Sequence, residues 1–259
     1  PASIAELSRA LNVGPVGNGP QLMFEWVYNN IEWEPGWGVQ KGAMCLMDGM
    51  GNAFDQSLLL ANLLRTAGYT ANIVQGTIRL TEAQFTAWFG TTDIWAARNY
   101  CFNLFIPVVT EPTWDGTTFY MDIKHVWVNW VDGANTWVFD PSVKAYDRKT
   151  GMSSAALASA MSFNSSTFMT DALSGATVDA GGDWVQNVNR SNIRSNLATF
   201  TSNLVSHIKN NAIGSAPAGT ANVDDVLGGK SIVPATIPLL QTSLSYQMPG
   251  DTPTVWTGD

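Results

Sequence analysis

The chain has 259 residues and a formal net charge of −8, from 13 Lys and Arg against 21 Asp and Glu, a balance that disfavours a nonspecific hold on nucleic acid or on anionic membrane. An apolar fraction of 45% supplies a buried core for one large domain or two small ones, and no apolar run approaches the ~20 residues that span a bilayer. Nucleic acid and membrane are thereby excluded as main partners, and a charged fraction of only 13% beside 11 Trp residues suits a secreted or cell-surface protein.

The first residues lack a charged segment followed by an apolar one, so a signal peptide is expected to be absent or already removed. In "SIAELSRALN" a capping Ser3 stands three residues before Glu6, and Ile4, Leu7 and Leu11 share one face, which predicts a short amphipathic helix. The run from Gly17 to Pro20 predicts a turn, "QLMFEWVYNNI" a second helix, and "PGWG" from Pro35 the turn that ends it. In "GNAFDQSLLLANLLRTAG" Asn52 and Asp55 have capping-box spacing. Phe54, Leu58, Ala61 and Leu64, joined by Leu59, Leu60 and Leu63, make that helix apolar on nearly all sides, hence central and buried. Gly68 stops it, and "TANIVQGTIRL" reads as a strand.

Residues 81–104 are predicted helical. "FYMDIKHVWVNWV" and "TWVFDPS" flank "DGAN", whose Asp132 and Gly133 are a strong turn signal, so the two arms are expected to form a hairpin. Beyond Pro141, "SSAALASAMSF" predicts a short helix, "SGATVDAGGD" a flexible break, and "SNIRSNLATFTSNLVSHIKN" a long amphipathic helix packed on the main body. Residues 211–230 read as a linker, and "SIVPATIPLLQTSLSYQM" as an edge strand or docking arm. The expected organisation is a core over 1–150, a helical extension packed on it over 151–212, and a linker with an extended C-terminal arm over 213–259.

Position 53 is the first residue of a predicted helix, where the dipole and free N–H groups stabilise a thiolate. A thiol there needs a histidine to share its proton and a third group to orient the imidazole. If the hairpin pairs about Asp132 to Asn135, Val131 lies opposite about Thr136, and His125 falls opposite a residue within one or two of Asp140. His125, Trp127, Asn129 and Val131 then share a face. Read from these residues alone, a core histidine beside an aspartate that opens the turn before Pro141 stands equally well.

Three motifs in order change that balance. "GNAFDQSLLLANLLRTAG" matches a Gly-x-Cys-x-Asp/Glu-x-Ala/Ser segment leading into a helix that ends Leu-Leu-Arg-x-x-Gly, "HVWVNW" matches a His-x-Trp-Val strand, and "WVFDPS" a Trp-led segment closing in Asp-Pro-Ser. Over residues 20–150 the chain resembles the transglutaminase-like domain of the papain-like cysteine-enzyme superfamily. The resemblance implies an α+β fold whose core is a buried central helix packed on an antiparallel sheet, with the helical and extended C-terminal addition outside it. It places the nucleophile at Ala53, the general base at His125 and the orienting acid at Asp140. Trp37, Gln40 and Trp127 are the implied substrate-binding residues, Gln40 as an oxyanion donor. "KGAMCLMDGMGNAFDQSLLLANLLRTAGY" and "SIVPATIPLLQTSLSY" further resemble the transglutaminase-like segments embedded in large bacterial proteins of the Rhs/YD-repeat kind, which implies a module of a larger secreted protein.

Ala53 departs from the pattern, since alanine has no nucleophile. Three explanations stand: a natural pseudoenzyme that binds without cutting, a cysteine replaced by alanine, or a nucleophile supplied by Cys45. The implied partners are a peptide or glycan chain, or other segments of the parent protein. Cys45 and Cys101 are expected to be free, small apolar core residues. With His125 and His207 far apart and no Cys–His cluster, neither a metal nor a cofactor is expected.

Overall fold

The structure, a computed structural model, describes residues 2–13, 18–210, 228–234 and 241–257. Helix α1 (Ala2–Leu11) buries Ile4 and also Ser8, whose hydroxyl donates to the Leu63 carbonyl at 2.9 Å. Ser3 lies inside this helix rather than capping it, and Glu6 pairs with Arg9 on the exposed face. Helix α2 (Asn18–Asn30) begins within the run expected to form a turn. Pro20 is tolerated there because the N–H groups of a first helical turn have no intrahelical partner to lose. Short strands β1 (Glu32–Trp33) and β2 (Met50–Gly51) pair in parallel and bracket a 3-10 turn (Gly42–Met44) and the one-turn helix α3 (Cys45–Asp48).

Helix α4 (Ala53–Thr66) starts at the expected capping box, with Asn52 and Asp55 each bonded to the other's backbone N–H. It buries Leu59, Leu60, Leu63 and Leu64 completely, at about 2 kcal/mol of transfer free energy each. Strand β3 (Thr70–Thr81) follows, then helices α5 (Glu82–Phe89) and α6 (Ile94–Asn103), strand β4 (Val108–Trp114), and the hairpin of β5 (Phe119–Asp132) and β6 (Asn135–Phe139). Gly133, at φ 59°, supplies the left-handed residue of the hairpin turn. The remaining elements are β7 (Tyr146–Lys149), α7 (Ser154–Met161), α8 (Ser165–Leu173), β8 (Thr177–Val178), β9 (Val185–Gln186), α9 (Arg190–Ile208), β10 (Gly229–Ile232) and β11 (Thr254–Val255).

The main sheet is antiparallel, in the order β11-β3-β5-β4, with β6 also paired to β5. Strand alternation divides its core into two layers. Ala71, Ile73, Val126, Val128 and Trp130 pack in one cluster with α4, while Val74, Ile78, Ile123 and Trp127 pack in another with Phe85, Trp88, Ile94 and Cys101 of α5 and α6. The expectation of an α+β fold with a buried helix packed on an antiparallel sheet is met.

The chain divides into two compact units, Pro1–Tyr146 with Ile232–Asp259, and Asp147–Ser231. The C-terminal arm therefore belongs to the first unit and not to a separate addition. In the second, α7, α8 and α9 meet through ring contacts among Phe163, Phe168 and Phe200. The segment expected to be a flexible break contains instead the β8–β9 ribbon, closed by the Asp179 carboxylate accepting from the Gly181 amide at 2.9 Å. The expected linker over 211–230 lies mostly outside the described residues.

In the first unit Lys144 is buried beneath the end of α2. Its ammonium donates to the Tyr28 carbonyl at 2.8 Å and to the Ile31 carbonyl, acceptors at and just beyond the C-terminus of α2, where carbonyls lack intrahelical donors. Burial pushes this amine down from 10.5 to about 7, against the opposing charges of Asp140, Cys45 and Glu32. Between about pH 7 and 10 the unfolded chain holds a proton that the fold has shed, so this group makes stability rise with pH in that window. Above about pH 9 the thiols of Cys45 and Cys101 act oppositely, because burial pushes both from 9.0 to about 12 and only the unfolded chain ionises them. Lys144→Met should therefore flatten the rise between pH 7 and 9, by up to about 1.4 kcal/mol per pH unit. Urea unfolding of both chains across that range checks it, since the pH-independent loss of the two carbonyl bonds does not alter the slope.

Candidate functional site

One half of the site is built around Asp55. Its Oδ1 accepts from the backbone N–H groups of Gln40, Lys41 and Gly42 at 3.0, 2.9 and 2.6 Å, and its Oδ2 from that of Asn52 at 3.3 Å. The Asn52 side chain adds a bond to the Gly38 carbonyl at 2.8 Å. A buried carboxylate satisfied by backbone donors pins the loop over 38–42 to the start of α4. Ala53 is buried there with Phe54, and Trp37 sets its ring edge-on to Phe54 at 4.9 Å. Trp37, expected to meet substrate, is half-buried and packs against both core layers. Gln40 keeps an exposed side chain against Gly36, while its backbone N–H is committed to Asp55.

The other half lies on the second face of the sheet. The observed register pairs Val131 with Thr136 and Val128 with Phe139, as the turn signal implied, and brings His125 to Asp140. Nε2 of His125 lies 2.9 Å from Oδ2 of Asp140; a carboxylate only accepts, so this nitrogen carries the proton. Oδ1 of Asp140 accepts from the Ser142 hydroxyl at 2.8 Å and from the Ser142 amide at 2.9 Å. Burial works to raise the Asp140 carboxyl, but the charge and hydrogen bond of His125 and the donors of Ser142 bring it below the usual carboxylate range.

The imidazole is enclosed by tryptophans, with Trp88 edge-on at 5.6 Å and Trp127 stacked at 6.5 Å. Trp127, expected to meet substrate, is 1% exposed and belongs to the core. Its ring fills the space over Gly76, where a Cβ would lie 2.4 Å from the Trp127 Cη2. A chain of contacts joins the two halves: Gly51 pairs with Trp33, Trp33 packs on Trp88 at 4.6 Å, and Trp88 meets His125.

The Ser142 hydroxyl also lies 3.2 Å from His125 Nε2, yet serine, histidine and aspartate do not form a relay. A relay uses both ring nitrogens, one toward the acid and one toward the nucleophile, whereas here Ser142 and Asp140 share Nε2. Nδ1 is the basic nitrogen, with no hydrogen-bond partner among the described residues. Cys45, the alternative source of a thiol, is fully buried, donates to the Asp55 carbonyl at 3.5 Å, and is pushed up to about 12 by burial and then by the Asp55 charge. Cys101 is likewise buried, and the two are unbridged. Among the described residues no group of three or more His, Cys, Asp or Glu side chains is placed to hold a metal, and no helix is long and apolar enough to cross a membrane.

The residue that completes this cluster comes from the C-terminal arm. The Tyr246 hydroxyl donates to Asp140 Oδ2 at 2.9 Å, and Leu244 and Tyr246 sit in the apolar layer around Trp127. Burial, and then the Asp140 charge, push the phenol well above its ordinary range. Farther along, Trp256 packs edge-on to Phe54, the residue after Ala53, at 5.3 Å. The arm thus touches both halves of the site, and His125 and Asp140 are left 2% and 3% exposed. Ser142 was within reach of sequence reading as the serine of the Asp-Pro-Ser motif. Tyr246, Trp88 and Lys144 carried no local signal.

No family model matches the chain, and no curated protein does. Among solved structures, the crystal structure of a candidate cysteine protease from Cytophaga hutchinsonii is similar over 54% of this chain and 37% of that one, at 14% identity and a TM-score of 0.35. This chain thus spans little more than a third of that protein's length, and the likeness is too slight to carry an argument.

Asp140 gathers donors from β5, the turn after β6 and the arm, so its removal leaves the partners of one buried carboxylate unsatisfied together. Asp140→Ala is expected to lower the unfolding free energy by about 3–5 kcal/mol, and Ser142→Ala or Tyr246→Phe by about 1–3 kcal/mol each. Chemical denaturation of the three variants measures the ranking.

Proposed function

We propose that the chain is a transglutaminase-like domain that has lost its nucleophile and works as a binding or scaffolding module. The observation that carries this reading is the bond from Tyr246 to Asp140. The acid that would orient a catalytic histidine is committed to the chain's own C-terminal arm, and the nucleophile position is Ala53. Active sites for acyl transfer leave the base open to substrate, whereas this histidine is enclosed by Trp88, Trp127 and the arm. The partner in this reading is an extended segment of polypeptide, in the first place a segment of the same protein. The setting in a larger secreted bacterial protein of the Rhs/YD-repeat kind rests on the motifs and the sparsely charged, tryptophan-rich composition.

A second reading is favoured by one feature, the basic Nδ1 of His125 with no partner among the described residues. In a cysteine acyl-transfer enzyme that nitrogen takes the thiol proton, so Ala53 would stand where the active protein has cysteine. One experiment separates the two. Ala53→Cys is alkylated with iodoacetamide across pH, with and without His125→Ala; Cys45 and Cys101 are buried and pushed up to about 12, so they stay slow. The scaffold reading expects an ordinary thiol, half-reactive near pH 8.5 and indifferent to His125. A thiol reactive more than one pH unit lower, and only with His125 present, would overturn it in favour of the enzyme.

A further inference from the structure

The C-terminal arm meets the rest of the first unit as a peptide meets a domain that binds by strand addition. From Tyr246 to Trp256 it runs antiparallel along the outer edge of β3. The Arg79 amide donates to the Tyr246 carbonyl at 2.8 Å, the Met248 amide to the Thr77 carbonyl at 3.0 Å, and the Trp256 amide to the Ile73 carbonyl at 2.8 Å. These bonds are separated, because Pro249 and Pro253 have no N–H to give and Gly250 turns at φ 80°. On its other edge β3 pairs with β5 without a break from Thr70 to Thr81. The arm is therefore held by a bridge of Gln247 on Ile78, by the two-residue ladder of Thr254 on Gln75 and Val255 on Val74, and by separate bonds around a Pro-containing break, and segments paired so discontinuously open at lower free energy than continuous ladders.

Three side chains supply specificity. The Tyr246 hydroxyl reaches Asp140, the Asp251 carboxylate accepts from the Thr77 amide at 2.8 Å, and the Trp256 ring packs on Phe54. The core offers each receiving group whether or not the arm is present. Asp140 is held by His125 and Ser142, the Thr77 N–H faces the free edge of β3, and Phe54 is anchored in α4. Gly76 makes the room, since a Cβ there would stand 2.4 Å from Trp127 and 2.6 Å from the Asp251 carboxylate.

We propose that this groove is a receptor for an extended peptide that places a tyrosine hydroxyl on Asp140 and, five residues later, an aspartate carboxylate on the Thr77 amide, with residues 241–257 as its resident and releasable occupant. The proposal rests on the reading that the site binds and does not cut. Its recognition is chemical: a phenol that donates to a buried carboxylate, an acid that caps an edge amide, and a backbone free to add as a strand.

Two measurements on the full chain test it. By hydrogen exchange of the unmodified protein, the amides of Met248 and Trp256 should exchange at least about tenfold faster than the paired amides of β5; exchange at the β5 rate would make the arm an integral strand and end the proposal. In the second, a fluorescein-labelled peptide of residues 241–257 is titrated, by anisotropy, with the chain carrying Tyr246→Phe and Asp251→Asn. Saturable binding is expected, at least about tenfold tighter than to the unmodified chain, whose own arm competes, and about tenfold weaker for a peptide with phenylalanine in place of tyrosine. No binding, or equal binding of the phenylalanine peptide, overturns the receptor assignment while leaving the non-cutting reading in place. Cleavage of the bound peptide, read by mass spectrometry, does the reverse.

Discussion

A carboxylate taken out of water must be surrounded by donors, and the way Asp140 meets that demand shapes much of the first unit. Desolvating such a group costs several kcal/mol unless it is paired and hydrogen-bonded. Its partners come from three stretches of chain: His125 from β5, the amide and hydroxyl of Ser142 from the turn after β6, and the Tyr246 hydroxyl from the C-terminal arm. The hairpin, the turn and the arm are thereby tied to one point. Asp55 repeats the arrangement at the other end of the site, where four backbone amides hold the loop before α4 against the helix start.

Between these two anchors the packing is that of a core. A helix N-terminus, an imidazole whose Nδ1 has no hydrogen-bond partner among the described residues, and an aspartate at its Nε2 are present, but the residue at the helix start is Ala53 and the imidazole is walled by Trp88 and Trp127. Tyr246 makes Asp140 an attachment point for the C-terminal arm. A His–Asp pair is worth keeping for this purpose alone, because breaking a buried pair leaves an uncompensated charge in the interior.

The arm also covers an edge. Without it β3 would present a twelve-residue strand, apolar at Ile73, Val74, Ile78 and Leu80, with its outer N–H and C=O groups unpaired. The opposite edge of the sheet is managed differently, since β4 carries Pro112 and two register shifts against β5 that blunt strand addition. One edge is thus closed to partners by its own irregularity and the other by a segment bound over it.

The features legible in the order of residues are local. The capping box and unbroken apolar run of α4, the β-branched strand after Gly68 and the turn at Asp132 and Gly133 are set by neighbours a few residues apart, and that turn alone places His125 beside Asp140. Tertiary structure decided the rest: that Trp127 turns inward over Gly76, that Cys45 is sealed against the Asp55 carbonyl, and that Lys144 lies under the end of α2. The bond that most changes the meaning of the site joins Tyr246 to Asp140 across 106 residues. Turn geometry and periodicity constrain only residues close along the chain, so a contact of that separation leaves no pattern in a single sequence and exists only once the core has brought its ends together.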